Sequence, residues 1–212
     1  MKDTTNYVKN KTNPFIPLNP ESKYWLGYIF ADGHIIYSKR YYSVSLFSVN
    51  QDIMNKFRNF VGNKAHMYIR PTGIIQVCYN SKPTTEWFVN TLGIPVRKAL
   101  TLNPNIPIDW DILHGYFDGD GSIRADKSKG KYNRYEMKFT TGSEIWKNRI
   151  VKFLSNNGII AHVNTKGNAY DINISGKVQL KYMWENLYKS NTSRLEYKYQ
   201  TFVALFSDEQ DK

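Results

Sequence analysis

The chain has 212 residues, 41% of them hydrophobic, so it is long enough for one large domain or two small ones with a buried core. The formal net charge of +11 indicates a polyanionic partner, for which nucleic acid is the usual candidate. The mean hydropathy of −0.55 and the absence of a long apolar stretch argue against a membrane partner.

The cysteine and histidine content bears on disulfides and on structural metal sites. A single cysteine, Cys78, excludes an internal disulfide framework and is consistent with a reducing compartment. The opening MKDTTNYVKN has no apolar signal region, so we expect an intracellular protein, in the cytoplasm, the nucleoid or an organelle, that is not secreted. The four histidines are scattered and lack cysteine partners, which argues against structural zinc.

The first elements follow an Asn-, Lys- and Pro-rich arm at residues 1–20. Ser22 is predicted to cap a helix that ends before Gly33. Two strand patterns follow, HIIYS and YYSVSLFSV, and then a helical pattern. Strand patterns AHMYIR and IIQVCY flank a predicted turn, and a last helix closes a first half assigned to residues 21–92.

The same order of elements repeats after a proline-containing linker at residues 93–108. A helix, the strands SIRAD and YEMKFTT, a second helix, the strands IIAHVN and AYDINI and a third helix fall within residues 109–206, before a tail at 207–212. This duplication predicts an α+β fold with two similar αββαββα halves related by a pseudo-two-fold axis.

The first helix of each half carries the same short motif. The two segments are WLGYIFADGHI and LHGYFDGDGSI, and their helix-end aspartates are 88 positions apart. Small residues lie four apart in each, at Gly27 and Ala31 and at Gly115 and Gly119, and therefore on one helix face. Small residues on one face allow two helix backbones to approach closely, so we expect the two motifs to pack together.

That packing would place Asp32 and Asp120 side by side at two helix C-termini. A helix C-terminus disfavours an anion, and two neighbouring carboxylates repel each other. Divalent cations with oxygen ligands would neutralise such a pair, and Mg²⁺ suits carboxylates combined with phosphate oxygens. The simpler interpretation, that each aspartate only ends a helix before glycine, is disfavoured because the motif occurs twice in a basic chain. The pattern indicates metal-assisted phosphodiester hydrolysis.

The two motifs resemble the paired signature of the LAGLIDADG homing endonucleases, and the order of elements agrees over roughly residues 22–206. Two motifs in one chain resemble the single-chain, pseudosymmetric members. The resemblance implies a monomer whose antiparallel sheets form a saddle over double-stranded DNA. It also implies double-strand cleavage at a long specific site with Mg²⁺ or another divalent metal, encoded within a mobile intron or as a free-standing gene.

Residue by residue, the resemblance implies metal binding by Asp32 and Asp120. The earlier acidic position of the motif is Phe30 in the first copy and Asp118 in the second, where it is expected to face the helix pair. Lys82 and Lys177, before the third helices, would stabilise charge on the phosphate or assist proton transfer, although each could be a solvated surface charge.

The resemblance also implies a polar residue that positions solvent at the end of each long strand. Gln51 would orient the attacking water in the first half, although it could instead be a helix N-terminal residue. Ser143 takes the corresponding position in the second half, a departure that puts the second water network in question.

Strand alternation separates a polar face, proposed to meet the DNA major groove, from an apolar face that meets the helices. Basic loop residues would hold phosphates. The residues expected to contact DNA are Lys39, Arg40, Ser48, His66, Tyr68, Arg70, Gln76, Arg124, Lys127, Lys129, Lys131, Arg134, Lys138, Thr140 and Lys166.

Two other functions remain open on the same fold. A maturase would bind structured intron RNA and would not need Asp32 or Asp120. A non-catalytic DNA-binding regulator would be expected to lose the acidic pair, and both acids are present.

Overall fold

A computed structural model describes residues 13–62, 65–96, 99–126 and 134–206. Within the first half, helices alternate with pairs of strands. These elements are α1 (Pro20–Asp32), β1 (His34–Tyr37), β2 (Tyr42–Ser48), α2 (Gln51–Val61), β3 (His66–Ile69), β4 (Ile75–Tyr79) and α3 (Lys82–Glu86), which continues as a π-helical turn (Trp87–Thr91).

The second half repeats this order and adds one helix. Its elements are α4 (Trp110–Asp120), β5 (Gly121–Asp126), β6 (Arg134–Thr141), α5 (Glu144–Asn156), β7 (His162–Lys166), β8 (Ala169–Ser175), α6 (Lys177–Leu187) and α7 (Glu196–Phe206). The predicted duplication is therefore confirmed. The boundaries of the two halves and the linker stay a prediction.

Each half contains one antiparallel four-stranded sheet, with equivalent strand orders β1-β2-β4-β3 and β5-β6-β8-β7. In the first sheet Val44 pairs with Tyr79 and Leu46 with Val77, and all four side chains are buried against the helices. In the second sheet Met137 and Phe139 pair with Ile174 and Ile172 in the same way. Each sheet thus has one face in the core and one turned outward.

Helices α1 and α4 cross at the centre of the molecule with their backbones in contact. A Cβ built on Gly27 would lie 1.9 Å from the carbonyl oxygen of Ile112, and one on Gly115 would lie 1.8 Å from that of Tyr24. No side chain fits in that space, so glycine is required at both positions. The predicted packing of the two motifs is confirmed, and it sets where both helices end.

The start of α1 differs from the prediction. Asn19 caps the helix by accepting from the Ser22 amide at 2.9 Å, while the Ser22 hydroxyl accepts from the Asn19 amide at 2.8 Å. Ser22 is the third helical residue of this reciprocal capping box, and Pro20, which lacks an N–H, occupies the first turn. At the other end, Gly33 and Gly121 terminate α1 and α4 as expected.

Two segments without regular structure pack onto the halves. Phe15, within the N-terminal arm, is fully buried against the rings of Phe60 and Phe88. In the linker, Leu102 is buried, and Arg149 donates hydrogen bonds to linker carbonyls. None of the described helices is long and apolar enough to cross a membrane.

Candidate active site and nucleic-acid interface

The helix crossing brings Asp32 and Asp120 to one place. A Cβ on Gly119 would lie 2.4 Å from the Ala31 Cβ and 3.6 Å from Asp32 Oδ2, so the Asp32 carboxylate lies against the residue that precedes Asp120. Each aspartate is the last residue of its helix, and a strand that leads into the sheet follows directly after Asp120 and, with one residue between, after Asp32. The two aspartates therefore lie at the same end of the helix crossing, where the first strand of each sheet begins.

Two pseudosymmetric tyrosines lie beneath the aspartates. Burial raises the pKa of Tyr28, and the charge of Asp32 raises it further. Burial likewise raises the pKa of Tyr116, with additional contributions from Asp120 and Asp32. Both phenols stay neutral at physiological pH. Burial is the main cause of both pKa shifts, and the negative charge of the nearby aspartates adds to it.

The donor set fits an oxygen-liganded divalent cation that takes further ligands from outside the protein. The pair provides carboxylate oxygens, the ligands preferred by Mg²⁺ and Ca²⁺. Among the described residues, no group of three or more His, Cys, Asp or Glu side chains could enclose a metal ion. Asp32 and Asp120 would hold such a cation with water and phosphate oxygens completing its coordination, which is how Mg²⁺ usually binds.

A buried polar cluster surrounds Asp118, two residues before Asp120. Asp118 Oδ2 accepts from the Tyr24 hydroxyl at 2.9 Å and from the Leu195 amide at 2.7 Å. Burial raises the Asp118 pKa to about 7, against the opposing effects of Lys198 and these hydrogen bonds. The expectation that Asp118 faces the helix pair is confirmed: it joins α1, α4 and the segment leading to α7.

His114 lies in the same buried cluster. Its burial in the neutral form predicts that the free energy of unfolding falls at acid pH. It packs against the rings of Tyr24 and Tyr188, and its Nδ1 is 3.2 Å from the Thr192 hydroxyl. Burial lowers the His114 pKa to about 3, with smaller effects from the charges of Arg194 and Lys198. Because the unfolded chain binds a proton more readily between pH 6.5 and 3, stability falls as the pH falls through that window.

We expect the pH dependence of the melting temperature to differ between the wild type and His114→Gln. Lowering the pH from 6.5 to 5 costs the wild type roughly 2 kcal/mol through His114, and the variant lacks this cost. The raised pKa of Asp118 acts in the opposite direction, and because Asp118 Oδ2 lies 3.6 Å from His114 Nε2 the same comparison is made in the Asp118→Asn background. The control is His34→Gln at an exposed position on β1. If the melting temperatures of wild type and His114→Gln fall in parallel with pH, the lowered pKa of His114 is contradicted.

The placement of Gln51 corrects the sequence interpretation. Strand β2 ends at Ser48, and Gln51 is the exposed first residue of α2, directly after its N-cap Asn50. The N-cap of α5 is Ser143, so Ser143 corresponds to Asn50 and not to Gln51. The Ser143 hydroxyl is buried and donates to the Leu102 carbonyl at 2.8 Å, and so it does not replace Gln51. A role of Gln51 toward water stays a prediction.

Lys82 and Lys177 occupy equivalent positions at the starts of α3 and α6, but at the sheet ends farther from the aspartates. Lys82 Nζ lies 5.4 Å from the Tyr42 ring centroid, and Tyr42 pairs with Tyr37, roughly 16 Å along a strand from Asp32. Gly176, before Lys177, bonds to Tyr135, about 13 Å along β6 from the partner of Gly121. Antiparallel pairing causes this placement, which argues against direct contact with the cut site.

The outward face of the first sheet carries most of the residues expected there. His66, Tyr68 and Arg70 are exposed along one side of β3. Arg70 donates to Gln76 at 3.0 Å, and Gln76 donates to the Cys78 sulfur at 2.8 Å. Side-chain hydrogen bonds therefore hold this face in order. Lys39 and Arg40 are exposed in the connection between β1 and β2.

Ser48 was wrongly assigned to the outward face. It shares the core-facing side of β2 with Val44 and Leu46 and hydrogen-bonds with Tyr28. Its strand partner, Ile75, is buried. The outward side of β2 is the one that carries Ser45, which donates to the Cys78 sulfur at 3.3 Å.

The outward face of the second sheet also follows the predicted alternation. Lys138 donates to Asp171 at 3.2 Å, and the Thr140 hydroxyl donates to the other Asp171 oxygen at 2.8 Å. Arg124 and Lys166 are exposed on the outer strands. Residues 127, 129 and 131, all predicted to bind DNA, lie outside the described residues, as does the side chain at 134.

Lys198 is a functional candidate that the sequence interpretation missed. It lies on α7, 3% exposed, and donates to the Phe117, Asp118 and Gly121 carbonyls around the end of α4. Its sequence signal was spacing: Lys198, Phe202 and Phe206 recur every four residues on one buried helix face. A lysine at a core-facing position of an amphipathic helix needs a polar partner inside the protein.

Comparisons with known proteins agree with this architecture. Residues 111–187 match the family model described as a LAGLIDADG-like domain. No curated protein sequence matches the chain. Among solved structures, the LAGLIDADG meganuclease I-AabMI bound to uncleaved DNA superposes with a TM-score of 0.63 at 12% identity, over 91% of each chain.

Two further structures give the same result. I-SmaMI, bound to its uncleaved DNA target in the presence of calcium ions, has a TM-score of 0.64 at 12% identity, over 92% of this chain and 93% of that one. The LAGLIDADG homing endonuclease I-GzeII in complex with its DNA target has a TM-score of 0.65 at 13% identity, over 91% and 90%. The resemblance inferred from the two motifs is thus confirmed: the chain carries a LAGLIDADG-like domain in its second half and has the LAGLIDADG meganuclease fold across both halves.

Proposed function

We propose that the chain is a site-specific DNA endonuclease that makes a double-strand break in a long target by divalent-metal-dependent phosphodiester hydrolysis, with Mg²⁺ as the cation. The observation that carries this proposal is the pair formed by Asp32 and Asp120 at the crossing of α1 and α4. Two neighbouring carboxylates at two helix C-termini are electrostatically unfavourable. A cation bound between them would remove that cost and supports a functional role for the pair.

The symmetry of the site suits a duplex. The two strands of DNA are themselves related by local two-fold symmetry, so each pseudosymmetric half would present one aspartate to one strand. A bound divalent cation supplies charge stabilisation to the phosphate and acidifies water. The protein would hold the cation through Asp32 and Asp120 and would bind the flanking duplex across the outward faces of its two sheets. I-AabMI and I-GzeII, whose solved structures have the same fold, are bound to DNA, and this supports a DNA-binding role for the outward sheet faces.

The test is a cleavage selection on a randomised duplex DNA library with Mg²⁺, beside the double variant Asp32→Asn/Asp120→Asn. We expect one enriched target that only the unmodified protein cuts on both strands. The same two proteins are then tested for binding to structured intron RNA. Tight RNA binding that survives the double substitution, with no cleavage of any duplex, would favour the maturase function and overturn the endonuclease.

We expect the affinity for duplex DNA to fall steeply with salt. Phosphate contacts release counterions, so several basic contacts together predict a loss of at least about tenfold between 50 and 200 mM salt. Lys39→Gln and Lys166→Gln, on the proposed binding faces, should each reduce the slope of log affinity against log salt by about one. Lys152→Gln, exposed on α5, is the matched control and should leave the slope unchanged. A flat salt response, measured by fluorescence anisotropy, would contradict the proposed interface.

A further inference from the structure

Helix α7 follows the last element that the two halves share and is anchored at the end of α4. The Leu195 amide donates to Asp118 Oδ2, and the Ser193 amide donates to Glu21 Oε2 at 2.8 Å. The segment before α7 is therefore tied both to α4 and to the first turn of α1. This anchoring delivers one basic side chain, Lys198, into the interior next to Asp120.

Three hydrogen bonds use all three N–H donors of the Lys198 ammonium group. Nζ lies 2.6 Å from the Phe117 carbonyl oxygen, 2.9 Å from that of Asp118 and 2.6 Å from that of Gly121. Three donors meet three acceptors, which is the full capacity of a protonated lysine. The bonded carbonyls lie on both sides of Asp120 in sequence. The ammonium therefore packs against the backbone turn that carries the Asp120 carboxylate.

The charge of Lys198 compensates several negative groups at once. The last carbonyls of a helix lack intrahelical partners and carry the negative end of the helix dipole. Burial lowers the pKa of Lys198 to about 8, while Asp118, Asp32 and Asp120 each raise it, so the ammonium is within electrostatic reach of both members of the pair. At neutral pH the side chain stays mainly charged.

We propose that Lys198 is a positioning residue that acts as the resident counter-cation of the aspartate pair. It holds the end of α4 and offsets the repulsion between Asp32 and Asp120 before any metal ion binds. The inference rests on the proposed function, since it treats the two aspartates as a cation-binding pair. Capping of the α4 carbonyls alone would tie Lys198 to that helix end without coupling it to the two aspartates.

The test is a double-mutant cycle on melting temperature at pH 7 without divalent metal. Lys198→Gln keeps polar donors and loses the charge, and Lys198→Arg keeps the charge. We expect Lys198→Gln to lower the melting temperature by at least about 5 °C, and this loss to shrink by half or more in the Asp32→Asn/Asp120→Asn background. Lys198→Arg should lose less than Lys198→Gln.

Phe202→Leu is the matched control, because Phe202 also lies on the buried face of α7 and packs on the Phe117 ring. Its loss should be the same in both backgrounds. An equal loss for Lys198→Gln in both backgrounds would overturn the proposal. If Lys198→Gln folds only when the aspartates are removed, the coupling is established, whereas failure to fold in both backgrounds counts against it.

A second readout uses Ca²⁺ alone and needs no cleavage. Removing a nearby positive charge should strengthen Ca²⁺ binding at least about threefold, measured by titration calorimetry, and added Ca²⁺ should diminish the stability loss of Lys198→Gln. Unchanged or weaker Ca²⁺ binding would overturn the proposal. A wild-type protein that neither cleaves DNA nor binds Ca²⁺ would instead remove the proposed function, while the metal-free cycle would still decide the role of Lys198.

Discussion

Replacing Gly115 by alanine is expected to lower the unfolding free energy by at least about 3 kcal/mol. The added Cβ would lie 1.8 Å from the Tyr24 carbonyl oxygen and 2.8 Å from the Tyr28 amide nitrogen, both in the backbone of α1. Backbone atoms of a packed helix cannot rotate away, so α1 and α4 must separate by more than an ångström.

The measurement is chemical denaturation of Gly115→Ala beside Gly27→Ala, whose Cβ meets the Ile112 carbonyl in the same way. For a chain of this length the expected loss corresponds to a fall in melting temperature of roughly 6–12 °C. The control is Gly73→Ala, at a turn glycine with φ 81° and open space around its Cβ, where only about 1 kcal/mol should be lost. Equal losses at Gly115 and Gly73 would contradict the close crossing.

Replacing Asp120 by asparagine is expected to reduce double-strand cleavage at least about a hundredfold while leaving DNA affinity within a few-fold of the wild type. Asparagine preserves the shape of the side chain but removes the charge that would hold a cation beside the phosphate. Asp32→Asn should act in the same way, because both carboxylates belong to one pair.

The control lies at the other end of the same helix. Asp111 occupies the first turn of α4, so Asp111→Asn changes the net charge equally but leaves the pair intact. Cleavage is measured on supercoiled target DNA, and binding by anisotropy in Ca²⁺. Wild-type cleavage rates for Asp120→Asn would refute the assignment of the site, and an equal loss for Asp111→Asn would show a general effect of charge.

Most of the architecture could be predicted because it depends on local pattern. The 3.6-residue and two-residue periodicities gave every helix and strand except α7, and duplication of the motif gave the pairing of α1 with α4. The two glycines on one face of each motif predicted the close approach that the structure contains. Asp32 and Asp120 could be found because each ends its helix immediately before a glycine.

The incorrect assignments all depended on where a segment ends or how strands pair. Choosing the wrong face of β2 put Ser48 outward, and one residue of displacement at the end of β2 matched Gln51 with Ser143. Side-chain direction in a strand reverses with each residue, so a small error in register changes the face. Lys82 and Lys177 were correctly matched to each other, but their distance from the aspartates follows from antiparallel pairing.

The sequence by itself determined two duplicated halves, the helix-end aspartates and the alternation of polar and apolar strand faces, because each is a short-range property of neighbouring residues. Only the tertiary structure decided that Lys198, 78 positions after Asp120, donates hydrogen bonds to carbonyls on either side of Asp120. It also decided that Asp118 joins three segments of the chain. These contacts have no local signature. They arise because burial of α7 leaves its lysine no solvent, and the carbonyls at and just beyond the end of α4 are the acceptors within reach.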